Sequence, residues 1–335
     1  MNSTKKNKRN YGIEILRMVA AFFVIIYHIY KPKNITQKKF IIKHGFHVPT
    51  FLIISFYYLN YNLINRKVDK IKERLERLLI PYLFYPIIIY IIYNFLYTFF
   101  HFEKLRINLY QLIIQFIVGR PIHSVLWFQF NLILITVLFY IIAFIFKSYY
   151  LPLLQILGIL SYLLQFSNIN YNYFKEYKVY ITYSVGYFAE TLPIAVTGLF
   201  ISFIDIINIA KKKCFPNVIL FIFLLFILFK YEIFSPVNGF EKQGILLNIE
   251  AVSFFVIFSL IQLDKKILIC IKYLTSYTPG VYFLHTKVYL IFKNKISFVK
   301  NQTLLGCLII YLISYLISFI GYKSLKKYKL KHLFI

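Results

Sequence analysis

The sequence predicts an all-α integral membrane protein, a helix bundle of about ten transmembrane helices with both termini cytoplasmic. Three observations predict it. The chain is 60% hydrophobic and 15% charged, whereas a soluble domain is nearer half apolar and a quarter charged. Its apolar residues come in blocks of about 17 to 25, the length of a bilayer-spanning helix. Its basic residues sit between those blocks, where the loops of a membrane protein carry them. The net charge of +27 is therefore a matter of topology. It is not gathered on one domain face, so membrane lipid is the expected partner and nucleic acid is not.

The apolar blocks are 12–30, 46–64, 78–100, 125–146, 150–167, 183–204, 216–231, 244–262, 273–292 and 303–322. The first follows MNSTKKNKRN and mimics a secretory signal. Its run contains Arg17 and shows no A-x-A-like cleavage site before the next polar loop, so it reads as a retained span. The second precedes the basic stretch RKVDKIKERLER, and the third follows it. The fifth is interrupted by Gly158 and the ninth by Pro279-Gly280. Segment 107–118 is too short to span and is expected at the interface or as a re-entrant piece. With the N-terminus inside, KKNKR, RKVDKIKERLER, KKK at 211–213, DKK at 264–266 and the tail KSLKKYKLKH all fall on the cytoplasmic side. An even number of spans then returns the C-terminus to the same side. No long polar insertion divides the chain, so residues 1–335 read as one transmembrane domain with no soluble C-terminal domain. The localisation that follows is the cell membrane, multi-pass. Cys214, Cys270 and Cys307 are far apart and lack metal-ligand spacing, so they read as small buried residues.

Chemistry has to come from polar residues inside or beside the spans. In the first span Glu14, Arg17, Ala21, Val24 and His28 share one stripe. Arg17 and His28 point the same way about 16 Å apart along the helix. A charge within a span must face protein or water. Imidazole takes and returns protons near neutral pH, which suits a general base on a hydroxyl. Arg17 offers a fixed fork for phosphate or carboxylate. The structural alternative is a Glu14–Arg17 pair at i,i+3 with His28 among the headgroups.

Arg74 and Arg77 lie three apart before the third span, at its cytoplasmic mouth. They suit the phosphates of a nucleotide-bearing donor. Positive-inside anchoring, with Glu73 and Glu76 neutralising the arginines, is the simpler reading of a bare basic loop. In later spans Glu190, Glu250 and His285 are the polar candidates. Each also reads as one interhelical hydrogen bond. His285 shares a helical face with Tyr282 and Tyr289. Trp127, the single tryptophan, reads as a membrane-interface residue, or else as an aromatic floor for a sugar or acyl chain. No Ser-His-Asp spacing, phosphate loop or metal cluster is present in the sequence, so no metal and no bound cofactor are expected.

These residues fall in an order that resembles the membrane acyltransferase-3 superfamily, particularly its short members that O-acetylate surface polysaccharides. The first span has the acid Glu14, then Leu16-Arg17, the small pair Ala20-Ala21, and His28 with ten residues between Arg and His. Val48-Pro49 and Phe51 open the second span, and Arg74 and Arg77 precede Pro81-Tyr82. Leu126-Trp127-Phe128 follows, and Tyr282-Phe283-Leu284-His285 stands near the end. The resemblance covers essentially the whole chain. It departs at Ser55-Phe56-Tyr57, where the family often has Ser-Gly and an aromatic. A bulky residue there is expected to reshape a pocket or to mark a divergent subgroup. Glu14 replaces the commoner Asp.

The resemblance implies acyl transfer from an acyl-CoA, usually acetyl-CoA, to a hydroxyl of an envelope glycan or lipid-linked sugar. It implies His28 as the catalytic residue, as general base or as acyl carrier, with Glu14, Arg17, Arg74 and Arg77 supporting the donor. His285, Trp127, Glu190 and Glu250 remain as acceptor-side or supporting residues. Proteins of glycan synthesis are further partners. The alternative function is a polysaccharide exporter or flippase of the same membrane family, which needs a continuous polar path and tolerates loss of His28.

Overall fold

The computed structural model describes residues 10–31, 45–100, 116, 126–166, 180–212, 240–261 and 265–328. Among them the protein is helical, with no strand. The helices are α1 (Tyr11–Ile29), α2 (His47–Ile64), α3 (Val68–Phe100), α4 (Leu126–Ile145), α5 (Tyr150–Phe166) and α6 (Tyr180–Phe203). After these come α7 (Ile206–Lys212), α8 (Phe240–Ser259), α9 (Lys265–Ser276), α10 (Thr278–Phe292), α11 (Ser297–Lys300) and α12 (Leu304–Leu325). Block 216–231, loop 32–44 and all of segment 107–118 except Phe116 lie outside the described residues.

Three helices among the described residues are long and apolar enough to cross a membrane: Tyr11–Ile29, Leu126–Ile145 and Leu304–Leu325. Tyr150–Leu163, Tyr187–Phe203 and Leu247–Ser259 are shorter apolar segments. Large apolar side chains such as Phe144, Ile159, Leu312 and Leu316 stand exposed on the outside, as helices facing lipid require.

The helices differ from the sequence blocks in three instructive places. Gly158 does not interrupt α5, which is continuous from Tyr150 to Phe166. Burial against neighbours outweighs the weak helix preference of one glycine. The ninth block is two helices parted at Tyr277, and Pro279 falls in the first turn of α10. Proline is accommodated there because the missing N–H is one that no helical carbonyl claims. The third block is the end of a longer element. α3 has 33 residues, about 50 Å of helix, so its basic first turns extend beyond a hydrocarbon core of about 30 Å.

α1 is the central element. It packs against α2, α8, α9, α10 and α12. Asn10 caps it, the side-chain oxygen accepting from the Ile13 N–H at 3.3 Å, while its amide donates to the Ser259 carbonyl at 2.7 Å. The first turn lies so close to the end of α8 that a Cβ on Gly12 would sit 1.8 Å from the Phe258 carbonyl oxygen.

Two apolar clusters flank α1. One joins α2, α4, α6 and α8 through Phe56, Phe139 and Phe255. The other joins α1, α10 and α12 through Ala21, Ile25, Val281, Val288 and Ile310. Among the described residues the most extensive helix contact is that of α2 with α6.

Candidate functional site

Two polar centres lie at opposite ends of α1. At the end where α1 stops, His28 and His285 face each other with ring centroids 5.3 Å apart. Tyr27 adds His47 to the group at 5.4 Å. His285 is wholly buried, and its Nδ1 lies 2.7 Å from the Tyr282 carbonyl oxygen. A carbonyl only accepts, so Nδ1 carries the proton and the neutral ring keeps its lone pair on Nε2. That Nε2 has no hydrogen-bond partner. His28 is exposed. The pair thus offers one accessible imidazole backed by one buried imidazole with a free lone pair.

At the other end a cavity of about 840 Å³ gathers Arg17, Arg74 and Arg77, with Lys326 on its rim. Such a volume falls within the range of ligand sites. Three elements supply these cations. Arg17 comes from the second turn of α1 and is held by Glu14 at 3.1 Å. Arg74 and Arg77 come from the early turns of α3, and Lys326 follows α12. Arg74 donates to Ser55 Oγ at 2.7 Å, to the Ser55 carbonyl at 3.4 Å and to Thr136 Oγ1 at 3.2 Å. These bonds engage three of its five N–H groups. The Phe56 ring lies beneath the guanidinium, 5.3 Å from centroid to carbon. Glu73 pairs with Lys70 at 2.9 Å.

Toward the histidines the cavity meets three rings in mutual contact. Phe51 lies 6.3 Å from Phe128 and 5.8 Å from Tyr282, and Phe128 lies 5.6 Å from Tyr282. Tyr282 therefore links the two centres, because its ring lines the cavity and its carbonyl holds His285.

A family model described as an acyltransferase domain, that of the acyltransferase-3 family, matches residues 10–323. The chain belongs to the acyltransferase-3 family. This acyltransferase-3 protein is thus a membrane acyltransferase that moves groups other than aminoacyl groups. No curated protein and no solved structure matches the chain.

Of the residues singled out in the sequence of this acyltransferase, Arg17, Arg74 and Arg77 converge on the cavity, and His28 and His285 converge on each other. Glu14 forms the i,i+3 pair with Arg17. Trp127 does not line the cavity. It stacks on Tyr187 at 4.3 Å, while its neighbours Phe128 and Gln129 face inward. Glu190 lies half-buried on α6 and Glu250 buried on α8, both away from the cavity lining. Near Glu250, Asn248 donates to Tyr162 and to Thr197 Oγ1, tying α8, α5 and α6 together.

Phe56 does not itself line the cavity. It is 0% exposed, packed edge-on against Phe139 at 5.3 Å, and absent from the lining. The close helix approach that a glycine in α2 would allow comes from the facing helix. A Cβ on Gly198 of α6 would lie 2.8 Å from the Ile53 carbonyl oxygen and 3.2 Å from Phe56 Cβ.

Four contributors were not visible as such in the sequence. Ser55 and Thr136 hold Arg74, His47 joins the histidine group, and Gln129 lines the cavity while bonding the Leu78 carbonyl at 2.8 Å. His47 directly precedes the Val48-Pro49 motif and Ser55 precedes Phe56, so adjacency to a motif was the available signal.

Proposed function

We propose that this acyltransferase moves an acetyl group from cytosolic acetyl-CoA to a hydroxyl of a cell-envelope polysaccharide or its lipid-linked precursor. One observation carries the reading: a cation-lined cavity at one end of α1 leads through Tyr282 to a histidine pair at the other. The donor phosphates belong with Arg17, Arg74 and Arg77, and the thioester belongs at His28. The Arg17-to-His28 run of about 16 Å on one helix face sets the reach between them.

His28 acts on the acceptor. As general base it takes the hydroxyl proton while the oxygen attacks the thioester carbonyl. The carbon–sulfur bond then breaks, and the imidazolium returns the proton to the leaving CoA sulfur. His285, with Nδ1–H fixed on the Tyr282 carbonyl and its Nε2 lone pair unengaged, has its ring centroid 5.3 Å from that of His28 and supports the positive charge that forms there. The aromatic cluster of Phe51, Phe128 and Tyr282 speaks against an exporter, which needs a continuous polar path.

Orientation follows from the basic loops, which favour the arginine end inside. Asn10 donates to the Tyr58 hydroxyl, and Tyr58 and Lys326 line the same cavity, so the described chain ends share that side. Cysteine placed at Lys70 is expected to label from the cytoplasm and cysteine at Ile35 from outside. The reverse pattern would overturn the direction of transfer.

The deciding experiment is mass spectrometry of envelope glycans from cells with and without the gene. An alkali-labile acetyl mass that depends on the gene supports the reading, and identical glycans sink it. Kinetics then test the donor side. Arg74→Ala is expected to raise the KM for acetyl-CoA about tenfold or more, because a charge-assisted bond contributes about 1.5–3 kcal/mol. Arg77→Ala, at an exposed position, should raise it only a few-fold. Donor kinetics equal to wild type in both would remove the arginines from the donor site.

A further inference from the structure

We propose that Phe51, Phe128 and Tyr282 form an acyl selector, a layer of rings that admits a two-carbon acyl group to the histidines and holds longer chains back. The inference rests on the acyl-CoA reading of the donor. It adds to that reading the residues that decide which acyl group is transferred.

The ring layer has a definite level in the molecule. Along α2, the spacing of His47, Phe51, Ser55 and Tyr58 puts all four on one face. His47 meets Tyr27 in the histidine group, and Phe51 supplies one of the three rings. Ser55 holds the Arg74 guanidinium, and Tyr58 accepts from the N–H of Asn10 at the start of α1. α10 repeats part of this order. Tyr282, in its second turn, puts its ring in the layer, and His285 follows on the next turn. On both helices the rings stand about 5–6 Å of helix short of a histidine. On α2 they also stand one turn beyond the hydroxyl that fixes Arg74. A donor held by its phosphates among the arginines therefore meets this layer with its acyl end.

The layer is closed. Its centroids lie 6.3 Å apart for Phe51 and Phe128, 5.8 Å for Phe51 and Tyr282, and 5.6 Å for Phe128 and Tyr282. Aromatic rings in contact have centroids about 4.5–7 Å apart, so the three touch one another. Among the described residues the cavity lining includes all three rings and neither His28 nor His285. The wall continues toward α3, where Phe283 stacks on Tyr85 at 4.8 Å. An acyl group reaches the histidines from the cavity by displacing a ring.

The rings are not held equally. Phe128 is 6% exposed and Tyr282 8%, whereas Phe51 is half-buried. Phe51 packs against both apolar clusters without being buried in either. Its displacement disturbs the packing least, and the gap it opens sets the size of acyl group that passes.

Only contacts to the acyl chain can tell one acyl-CoA from another, because the phosphates that the arginines meet are the same in all of them. One methylene against an apolar surface changes kcat/KM about 10–200-fold. The three rings present such a surface at the level where the chain arrives.

Inside-out membrane vesicles from cells expressing the chain carry the native acceptor and test the selector. They are supplied with labelled acetyl-, propionyl- or butyryl-CoA at low concentration. Alkali-labile label in the glycan then gives relative kcat/KM, with vesicles lacking the gene as blank. Wild type is expected to favour acetyl over butyryl, two methylenes longer, about 100-fold. Phe51→Ala should cut that preference about tenfold while butyryl transfer rises in absolute terms, a gain that a misfolded protein cannot produce. Phe128→Leu should shift the ratio the same way by a smaller factor. Phe139→Leu, at a core ring outside the lining, should leave the ratio within about twofold. An equal shift in Phe139→Leu would make the effect a general loosening of the bundle and overturn the selector. Acetyl transfer with the ratio unchanged in both Phe51→Ala and Phe128→Leu overturns the selector and leaves the acyl-CoA reading standing. A wild type that prefers butyryl overturns the selector and the acetyl assignment but keeps acyl-CoA as donor. No gene-dependent transfer from any of the three overturns the acyl-CoA reading, and the selector with it.

Discussion

His28→Ala is expected to lower acyl transfer by about 10²–10⁴-fold, the range general-base catalysis contributes. The prediction rests on where the side chain stands. His28 is exposed at the end of α1, with its ring 5.3 Å from that of His285 and 5.6 Å from that of Tyr27. Removing it leaves Ile25, Ile26 and Ile29 buried as before. The variant should therefore keep its fold and its donor affinity while losing the chemical step. The checks are O-acetyl content of the envelope glycan and CoA binding by the purified protein. Loss of acetylation with CoA binding intact is the signature of a catalytic role. Unchanged glycan acetylation in cells expressing the variant at normal levels would remove His28 from catalysis. It would also revive the exporter reading, which tolerates that loss.

Phe56→Gly, which installs the residue more usual at this motif position, is expected to destabilise the protein by about 3 kcal/mol. That is the low end of the range for deleting a buried phenylalanine. In a bilayer the lost contribution is chiefly packing, because lipid is as apolar as the core. The void would open between α2, α4 and α6, where Phe56 meets Phe139 edge-on and abuts the Gly198 backbone. It would also remove the ring beneath the Arg74 guanidinium, a cation–π contact that contributes about 0.5–2 kcal/mol. Phe56→Leu separates the two effects. It retains most of the volume, so stability should recover largely while donor affinity stays weakened. Thermal unfolding in detergent and acetyl-CoA kinetics read the two quantities. A Phe56→Gly protein as stable as wild type would mean that the α2–α6 contact does not depend on this side chain.

Much of this could be read along the chain because it is local. Residues on one helix are fixed relative to each other by 1.5 Å of rise and 100° of turn. The Arg17–His28 stripe, the Glu14–Arg17 pair and the shared face of Tyr282 and His285 follow from spacing alone. The cap was not read from the sequence: Asn10 as the N-cap of α1 emerged only in the structure. Helix ends were less legible where context overrides preference. Gly158 looks like an interruption and is buried inside a continuous helix, while Pro279 looks like a break and helps begin one.

The sequence by itself determined that the chain is built of apolar helices and that arginine and histidine stand at opposite ends of the first. Hydrophobic block length and helical periodicity depend only on neighbours in the chain, so they survive without knowledge of the fold. Only the tertiary structure decided which helices meet. It brought His28 to His285, set the Ser55 and Thr136 hydroxyls around Arg74, and placed Gly198 where α6 meets Ile53 and Phe56 of α2. These are contacts between residues tens to hundreds of positions apart. Their partners are selected by the packing of whole helix faces, which no spacing rule along one helix encodes.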